Sequence, residues 1–272
     1  MSQKKVVLVT GASSGIGQAI AALLAHRGFA VFGTSRSPSD AAPIAGAEML
    51  PLDVCLDEPA GACVEMVLKR TGRLDVLVNN AGYGMGGAAE ETSMEEAKAQ
   101  LETNFWGVVR MTKAALPAMR RQGSGKIVNI SSALGVVGAP FAGFYAASKF
   151  ALEGYTESLS YELKPLNIRV SLVEPLSIKT NFFRNLQPTA GQIDDYAPWR
   201  ERAFKAMQEK GQEASAPTVV AECVLRIINN RTPRLRYQVG KNASLLYWLI
   251  RRLPAPMVEQ MMRRVWNLDA KD

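Results

Sequence analysis

The chain has 272 residues, 47% of them hydrophobic and 21% charged, the balance of a soluble globular protein near the upper size of one hydrophobic core. Its three cysteines, Cys55, Cys63 and Cys223, are odd in number and lack C-x-x-C or zinc-ligand spacing, which speaks against a disulfide framework or a structural metal and for a reducing compartment. The net charge of +7 gathers at the C-terminal end, where nine basic residues between Arg231 and Asp272 face three acidic ones; such a patch could meet anionic lipid or nucleic acid, but a solvated basic face is the commoner reason.

The N-terminal residues run straight into Val6-Val7-Leu8-Val9 and Gly11, too short an apolar run for a signal peptide. No stretch reaches the ~18 apolar residues needed to cross a bilayer. The expectation is one soluble, cytoplasmic domain spanning residues 1–272.

Val6 to Thr10 reads as a strand. It ends in Thr10-Gly11-Ala12-Ser13-Ser14-Gly15-Ile16-Gly17, and an apolar-periodic helix follows to about Arg27. Strand, glycine-rich turn and helix start make a phosphate cradle, because glycines let the backbone approach a pyrophosphate and the free N–H groups of the helix meet its charge. A second strand, Ala30 to Ser35, ends at Arg36. An acidic residue at that point would suit the ribose hydroxyls of NAD(H), whereas an arginine accommodates a 2′-phosphate. No acid occurs before Asp40, so Arg36, with Ser14 and Ser35 as donors, points to NADP(H).

A third strand is expected from Glu48 to Val54, closing on Asp53-Val54, and a helix from Asp57 to Thr71. Leu74 to Asn79 is a nearly continuous apolar strand of the kind buried on both faces of a parallel sheet. It ends in Asn79-Asn80-Ala81-Gly82, either a passage beside a ligand or a turn in which asparagine bonds its own backbone. From Ser93 to Arg121 a long amphipathic helix is expected, opened by Ser93 and Glu96 in capping-box spacing. Asn104, amid Phe105, Trp106 and Val108, must be satisfied if buried; it either bonds a broken helix backbone and a water or points outward.

The strand Gly125 to Ser131 puts Ser132 just past its carboxyl edge, where open α/β sheets bind ligands. Phe144-Tyr145-Ala146-Ala147-Ser148-Lys149 then begins a helix running to about Lys164. Spaced one turn apart, Tyr145 and Lys149 share a face. A cation so placed favours phenolate and can lower the tyrosine from its reference near ~10. A sixth strand, Ile168 to Glu174, precedes Pro175 and Thr180.

These elements in this order, TGASSGIG, NNAG, a helical Asn104, a strand-end Ser132, YAASK and a proline-led turn to Thr180, resemble the short-chain dehydrogenase/reductase family over residues 4 to about 180. The hydroxysteroid and retinol dehydrogenase branch is the nearest in look. The resemblance implies a doubly wound Rossmann fold, a mostly parallel seven-stranded α/β sheet with helices on both faces. It implies that Tyr145 exchanges a proton with the reacting oxygen, that Ser132 hydrogen-bonds that oxygen, that Lys149 lowers the Tyr145 pKa and bonds the nicotinamide ribose, and that Asn104 holds a water between Lys149 and solvent. It assigns Gly11, Ser14, Gly15, Ile16 and Gly17 to the pyrophosphate, Asp53 and Val54 to the adenine, Asn80 to the adjoining ribose and Thr180 to the carboxamide. One departure is Pro175-Leu176 where the family has Pro-Gly.

Residues 176–215, with Phe182, Phe183, Leu186, Ile193, Tyr196, Trp199, Phe204 and Met207, would form a lid over the substrate, or pack on themselves. With Leu134, Val136, Val137, Phe141 and Phe144 nearby, they favour an apolar ketone or alcohol such as a steroid, retinoid or lipid. After a helix to Asn229 and a strand near Leu235 to Val239, residues 240–272 form a basic amphipathic extension. It suits a fold onto its own domain, with contact to a membrane surface the less common option. The single histidine, His26, excludes Ser-His and His-ligated metal schemes. The resemblance implies a homo-oligomer; a catalytically silent, dinucleotide-sensing regulator or scaffold is the competing class.

Overall fold

The structure is a computed structural model describing residues 4–180 and 186–269. Seven strands, β1 (Val6–Val9), β2 (Ala30–Ser35), β3 (Ala47–Pro51), β4 (Val76–Asn79), β6 (Gly125–Ile130), β7 (Ile168–Pro175) and β9 (Arg236–Val239), form one sheet in the order β3-β2-β1-β4-β6-β7-β9. Every pairing is parallel, so the expected "mostly parallel" sheet is wholly so. The chain winds outward from β1 to β3 and returns to β4 beside β1, which opens a crevice at the carboxyl ends of β1 and β4.

Alternation along the strands divides the interior in two. Val7, Val9, Val76 and Val78 pack against α1 (Gly15–His26) and α7 (Thr218–Asn229). Val6, Leu8 and Leu77 pack against α2 (Asp57–Thr71), α4 (Gly107–Gln122) and α5 (Gly143–Leu163) on the other face. A strand with apolar side chains at every position cannot lie at a surface, and Val7, Leu8, Val9, Leu77 and Val78 are fully buried.

Two strands begin or stop short of their expected limits, for local reasons. Leu74 is kept out of β4 because the Gln122 side chain takes both its N–H and its C=O, each at 2.9 Å. At the other end of the return path, β3 stops at Pro51 because Asp53 turns the chain towards α2, its Oδ1 accepting the Cys55 N–H at 2.9 Å. The single helix expected from Ser93 to Arg121 is three pieces: α3 (Met94–Leu101), opened by the Ser93–Glu96 capping box, a π-turn (Glu102–Trp106) and α4.

Residues 186–215 hold more structure than their sequence suggests. β8 (Gln187–Pro188) pairs with β5 (Met85–Gly86), and α6 (Ala197–Gln212) follows. Phe182 and Phe183 lie outside the described residues. At the C-terminus α8 (Ala243–Arg252) and α9 (Ala255–Val265) rest on the domain: Tyr247 is buried, and Lys210 Nζ meets the Val265 carbonyl at 2.7 Å. The outer face of α8 keeps Leu245 and Trp248 about half exposed. Among the described residues no helix is long and apolar enough to cross a membrane.

Candidate active site

The glycine turn is built as a cradle. Gly11 and Gly15 take φ of +64° and +57°, a region that costs a side chain energy. A Cβ on Gly17 would stand 2.2 Å from the Gly11 carbonyl oxygen and 2.4 Å from Asn80 Nδ2. Thr10 Oγ1 accepts the N–H groups of Asn80 and Ala81, and Asn80 Nδ2 donates to the carbonyls of Thr10 and Gly11 at 2.9 and 3.0 Å. The Asn80 amide therefore clamps the turn, the backbone-bonding role left open for this motif. Ser14 caps α1 with an extended backbone and its side chain makes no capping bond, which keeps both its hydroxyl and the first N–H groups of the helix available to an anion.

A cleft of about 630 Å³ runs along this edge. Its walls include Gly11, Ser14, Gly15, Ile16, Arg36, Asp53, Val54, Asn80, Tyr145, Lys149 and Thr180. Gly17 lies beneath the wall. Arg36 is exposed at the rim beside Ser35, and no carboxylate among the described residues pairs with it. Gly15 and Thr180 face each other across the opening, a Gly15 Cβ falling 3.4 Å from Thr180 Cγ2. At the departure the left-handed turn falls one residue later, on Ser177, φ +44°, while the Leu176 N–H pairs with the Val239 carbonyl at 2.8 Å.

Asn104 sits in the π-turn, fully buried. Its Nδ2 donates to the Tyr83 carbonyl at 3.0 Å and to Ser148 Oγ at 3.1 Å, and its Oδ1 accepts the Tyr83 N–H at 3.1 Å. It points inward, and both amide hydrogens are committed, so the side chain ties the Gly82–Tyr83 loop to α5. Cut into the helix, the π-turn is what aims it there.

Ser132 follows the carboxyl end of β6, its Oγ accepting the Leu134 N–H at 3.1 Å. Its hydroxyl also meets that of Tyr145. One turn along α5, Lys149 is buried, its Nζ donating to the Ile130 carbonyl at 2.9 Å and lying 5.8 Å from the Tyr145 ring centre. Burial pushes the Tyr145 phenol up to about 12, with the Ser132 bond drawing it back. Burial also pushes the Lys149 ammonium down to about 8, with the Glu153 charge opposing. The spacing argument expects a lowered phenol; in the folded chain desolvation dominates, opposed by the Ser132 bond.

Several residues escaped the sequence reading. Asn79 Nδ2 donates to Asn129 Oδ1 at 2.8 Å and Asn129 Nδ2 to Thr156 Oγ1 at 2.9 Å, a buried ladder joining β4, β6 and α5. Buried Glu91 accepts the N–H groups of Ala88 and Ile193 and pairs with Arg200, fastening residues 190–200 to the turn at Ala88–Glu91. Tyr247 reaches the Ser132 carbonyl at 3.3 Å. Asn129 carries a sequence signal, a polar residue inside the apolar run Ile127 to Ile130; Glu91 and Tyr247 carry none.

With this geometry in view, likeness to known proteins becomes informative. A family model described as short chain dehydrogenase matches residues 5–191. The chain is 41% identical to 3-ketodihydrosphingosine reductase of Bacteroides thetaiotaomicron, over 96% of this chain and 97% of that one. It is 36% identical to human retinol dehydrogenase 8, over 89% of this chain and 83% of that one. A short-chain dehydrogenase structure from Streptomyces avermitilis superposes with a TM-score of 0.82 at 34% identity, covering 100% of both chains. The chain belongs to the short-chain dehydrogenase family, oxidoreductases that use a nicotinamide cofactor and act on small carbonyl or alcohol substrates.

Proposed function

We propose that the chain is an NADP(H)-dependent oxidoreductase interconverting an apolar ketone and its secondary alcohol, with Asn104, Ser132, Tyr145 and Lys149 as its catalytic set. The observation that carries this reading is the meeting of the Ser132 and Tyr145 hydroxyls over Lys149 at the edge of the glycine-cradled cleft.

The residues present suit a dinucleotide. Gly11, Ser14, Gly15, Ile16 and Gly17 would receive the pyrophosphate, Asp53 and Val54 the adenine, Asn80 the ribose beside it and Thr180 the carboxamide. Arg36, with Ser14 and Ser35, would bind a 2′-phosphate. Bound there, the nicotinamide supplies the hydride in reduction and accepts it in oxidation. The protein manages the proton: Tyr145 Oη passes it to the carbonyl oxygen, and Ser132 Oγ donates a hydrogen bond to the same oxygen as charge develops on it. Lys149 stabilises the phenolate that Tyr145 leaves behind, and Asn104 holds the loop and helix in register.

Support for an apolar substrate comes from residues 176–215, which we read as a lid. Phe141 and Phe204 stack edge to face at 6.2 Å, and Leu186 and Phe204 close over Gly86. The names of the two relatives, a reductase of a long-chain keto base and a retinol dehydrogenase, agree with it. Exposed Trp106, Phe150 and Tyr161 on the helical faces around Asn104 and Tyr145 fit a homo-oligomer, and the three free thiols fit the cytoplasm. NADPH oxidation measured with 3-ketodihydrosphingosine, retinal and a short polar ketone tests the proposal: the two long apolar carbonyls should turn over, and consumption of none, or of the polar ketone alone, would refute it.

A further inference from the structure

Beneath Lys149 lies a cluster of ionisable side chains with no part in the chemistry above. Glu153 stands one helical turn further along α5 and Glu174 near the end of β7, with 5% and 0% of their surfaces exposed. One arginine reaches both. Arg236 Nε from β9 lies 3.1 Å from Glu153 Oε2 and 3.4 Å from Glu174 Oε1, while its Nη2 is drawn to Glu157 at 2.6 Å. Gln238 Nε2 donates to Glu174 Oε2 at 2.6 Å.

The two remaining oxygens decide the state of the pair. Glu153 Oε1 and Glu174 Oε1 are buried and, as carboxylate oxygens, have no hydrogen-bond donor among the described residues. Yet both carboxylates converge on one atom, Arg236 Nε, at 3.1 and 3.4 Å, which holds them close to each other. Two acceptors cannot bond, and two like charges so close cannot both be ionised cheaply. A proton between them removes both difficulties. Ser131 Oγ is a third buried polar atom beside the two acids with no partner of its own among the described residues, and the Tyr247 phenol from α8 lies close enough to Glu174 to feel its charge. The loop that carries Ser132 rests on this cluster: a Cβ on Gly135 would stand 2.9 Å from Ser131 Oγ and 3.0 Å from Glu153 Cγ.

We infer that Glu153 and Glu174 form a proton-sharing acid pair under the catalytic loop, Glu174 holding the proton and Glu153 the charge, and that this charge keeps Lys149 an ammonium. The inference rests on the dehydrogenase reading, in which Lys149 acts as a cation; both glutamates are positioning residues. Burial raises both acids; a proton held by Glu174 and turned towards Glu153 raises the first further and draws the second back. Glu174 is pushed up to about 7, by burial first and by the Glu153 charge second. Lys149, held down by burial, is drawn up by Glu153. The other charged groups about the pair are Arg236 and Glu157, and Arg251 of α8 acts on Glu157 and on Tyr247.

Infrared spectroscopy and pH profiles test the pair. The native protein should show the carbonyl stretch of a protonated carboxylic acid at about pH 6, fading by about pH 8.5, and Glu174→Gln should remove it. Glu153→Gln should move the alkaline limb of kcat/KM to lower pH by about one unit, a loss approaching about ten-fold at pH values above the native limb, and Glu153→Asp should restore it. Absence of the band in the native protein, its survival in Glu174→Gln, or an equal loss of rate at every pH in Glu153→Gln would overturn the inference. The infrared measurement needs no turnover, so a chain without dehydrogenase activity would sink the functional reading while leaving the pair's own test standing.

Discussion

At the scale of single residues, the site is a contest between burial and charge. Tyr145 is driven up and Lys149 down by the same desolvation, so each needs a partner before it can ionise: Ser132 for the phenol, Glu153 for the ammonium. Tyr145→Phe removes the proton donor alone. It should lower kcat by about 10² to 10⁴-fold while NADPH affinity, followed by nucleotide fluorescence, stays within about two-fold; near-native turnover would exclude the proton route through the phenol. Arg36 stands at the rim with no carboxylate to occupy it among the described residues. A charge-assisted bond to a 2′-phosphate contributes about 1.5–3 kcal/mol, so Arg36→Asp should shift the NADPH-to-NADH preference in kcat/KM by about 10 to 100-fold towards NADH. An unchanged ratio would mean the phosphate is read elsewhere.

Elements bring these residues together through a few points where backbone meets backbone or a buried amide crosses the sheet. Gly17 is one, since any side chain there strikes the Gly11 carbonyl and the Asn80 amide. Gly17→Ala should abolish measurable dinucleotide binding, assayed by fluorescence titration alongside circular dichroism; tight binding by a folded variant would contradict the packed turn. The segment proposed above as a lid hangs on Glu91, which serves Ala88, Ile193 and Arg200 at once. Removing one partner of a buried ion pair costs about 3–5 kcal/mol. Glu91→Gln should therefore speed proteolysis between residues 186 and 215 and raise KM for an apolar substrate more than it lowers kcat. A variant with native protease resistance would show that the segment is held by packing instead.

At the scale of the whole molecule, the buried acids make stability depend on pH with an unusual sign. Glu174 is raised to about 7 from an ordinary carboxyl value, so the folded chain binds more protons than the unfolded one between about pH 4.5 and 7. The stability contributed by that extra proton is full below the unfolded value and is lost as pH rises through the folded one. The native Tm should fall from pH 5 to 7.5, a window that ends before Lys149 titrates, and Glu174→Gln should flatten the slope. A native Tm that rises across the window would mean that Glu174 is ionised throughout.

Much of the fold could be read directly from the chain, because continuous apolar runs such as Val6–Val9 and Val76–Val78 have no stable place except between two layers of helices. The glycine turn, the Ser93–Glu96 cap and the one-turn spacing of Tyr145 and Lys149 are likewise local, each decided within a few residues. What only the tertiary structure decided is non-local. The π-turn that swings Asn104 inward depends on Tyr83 and Ser148, the strand limits at Leu74 and Pro51 on Gln122 and Asp53, and the direction of the Tyr145 shift on how deeply the completed fold buries it. The meeting of Glu153 with Glu174 depends on β7 and β9 lying beside α5. Periodicity and spacing report a residue's own element, whereas desolvation and the partner of a buried charge are set by whatever chain folding lays against it.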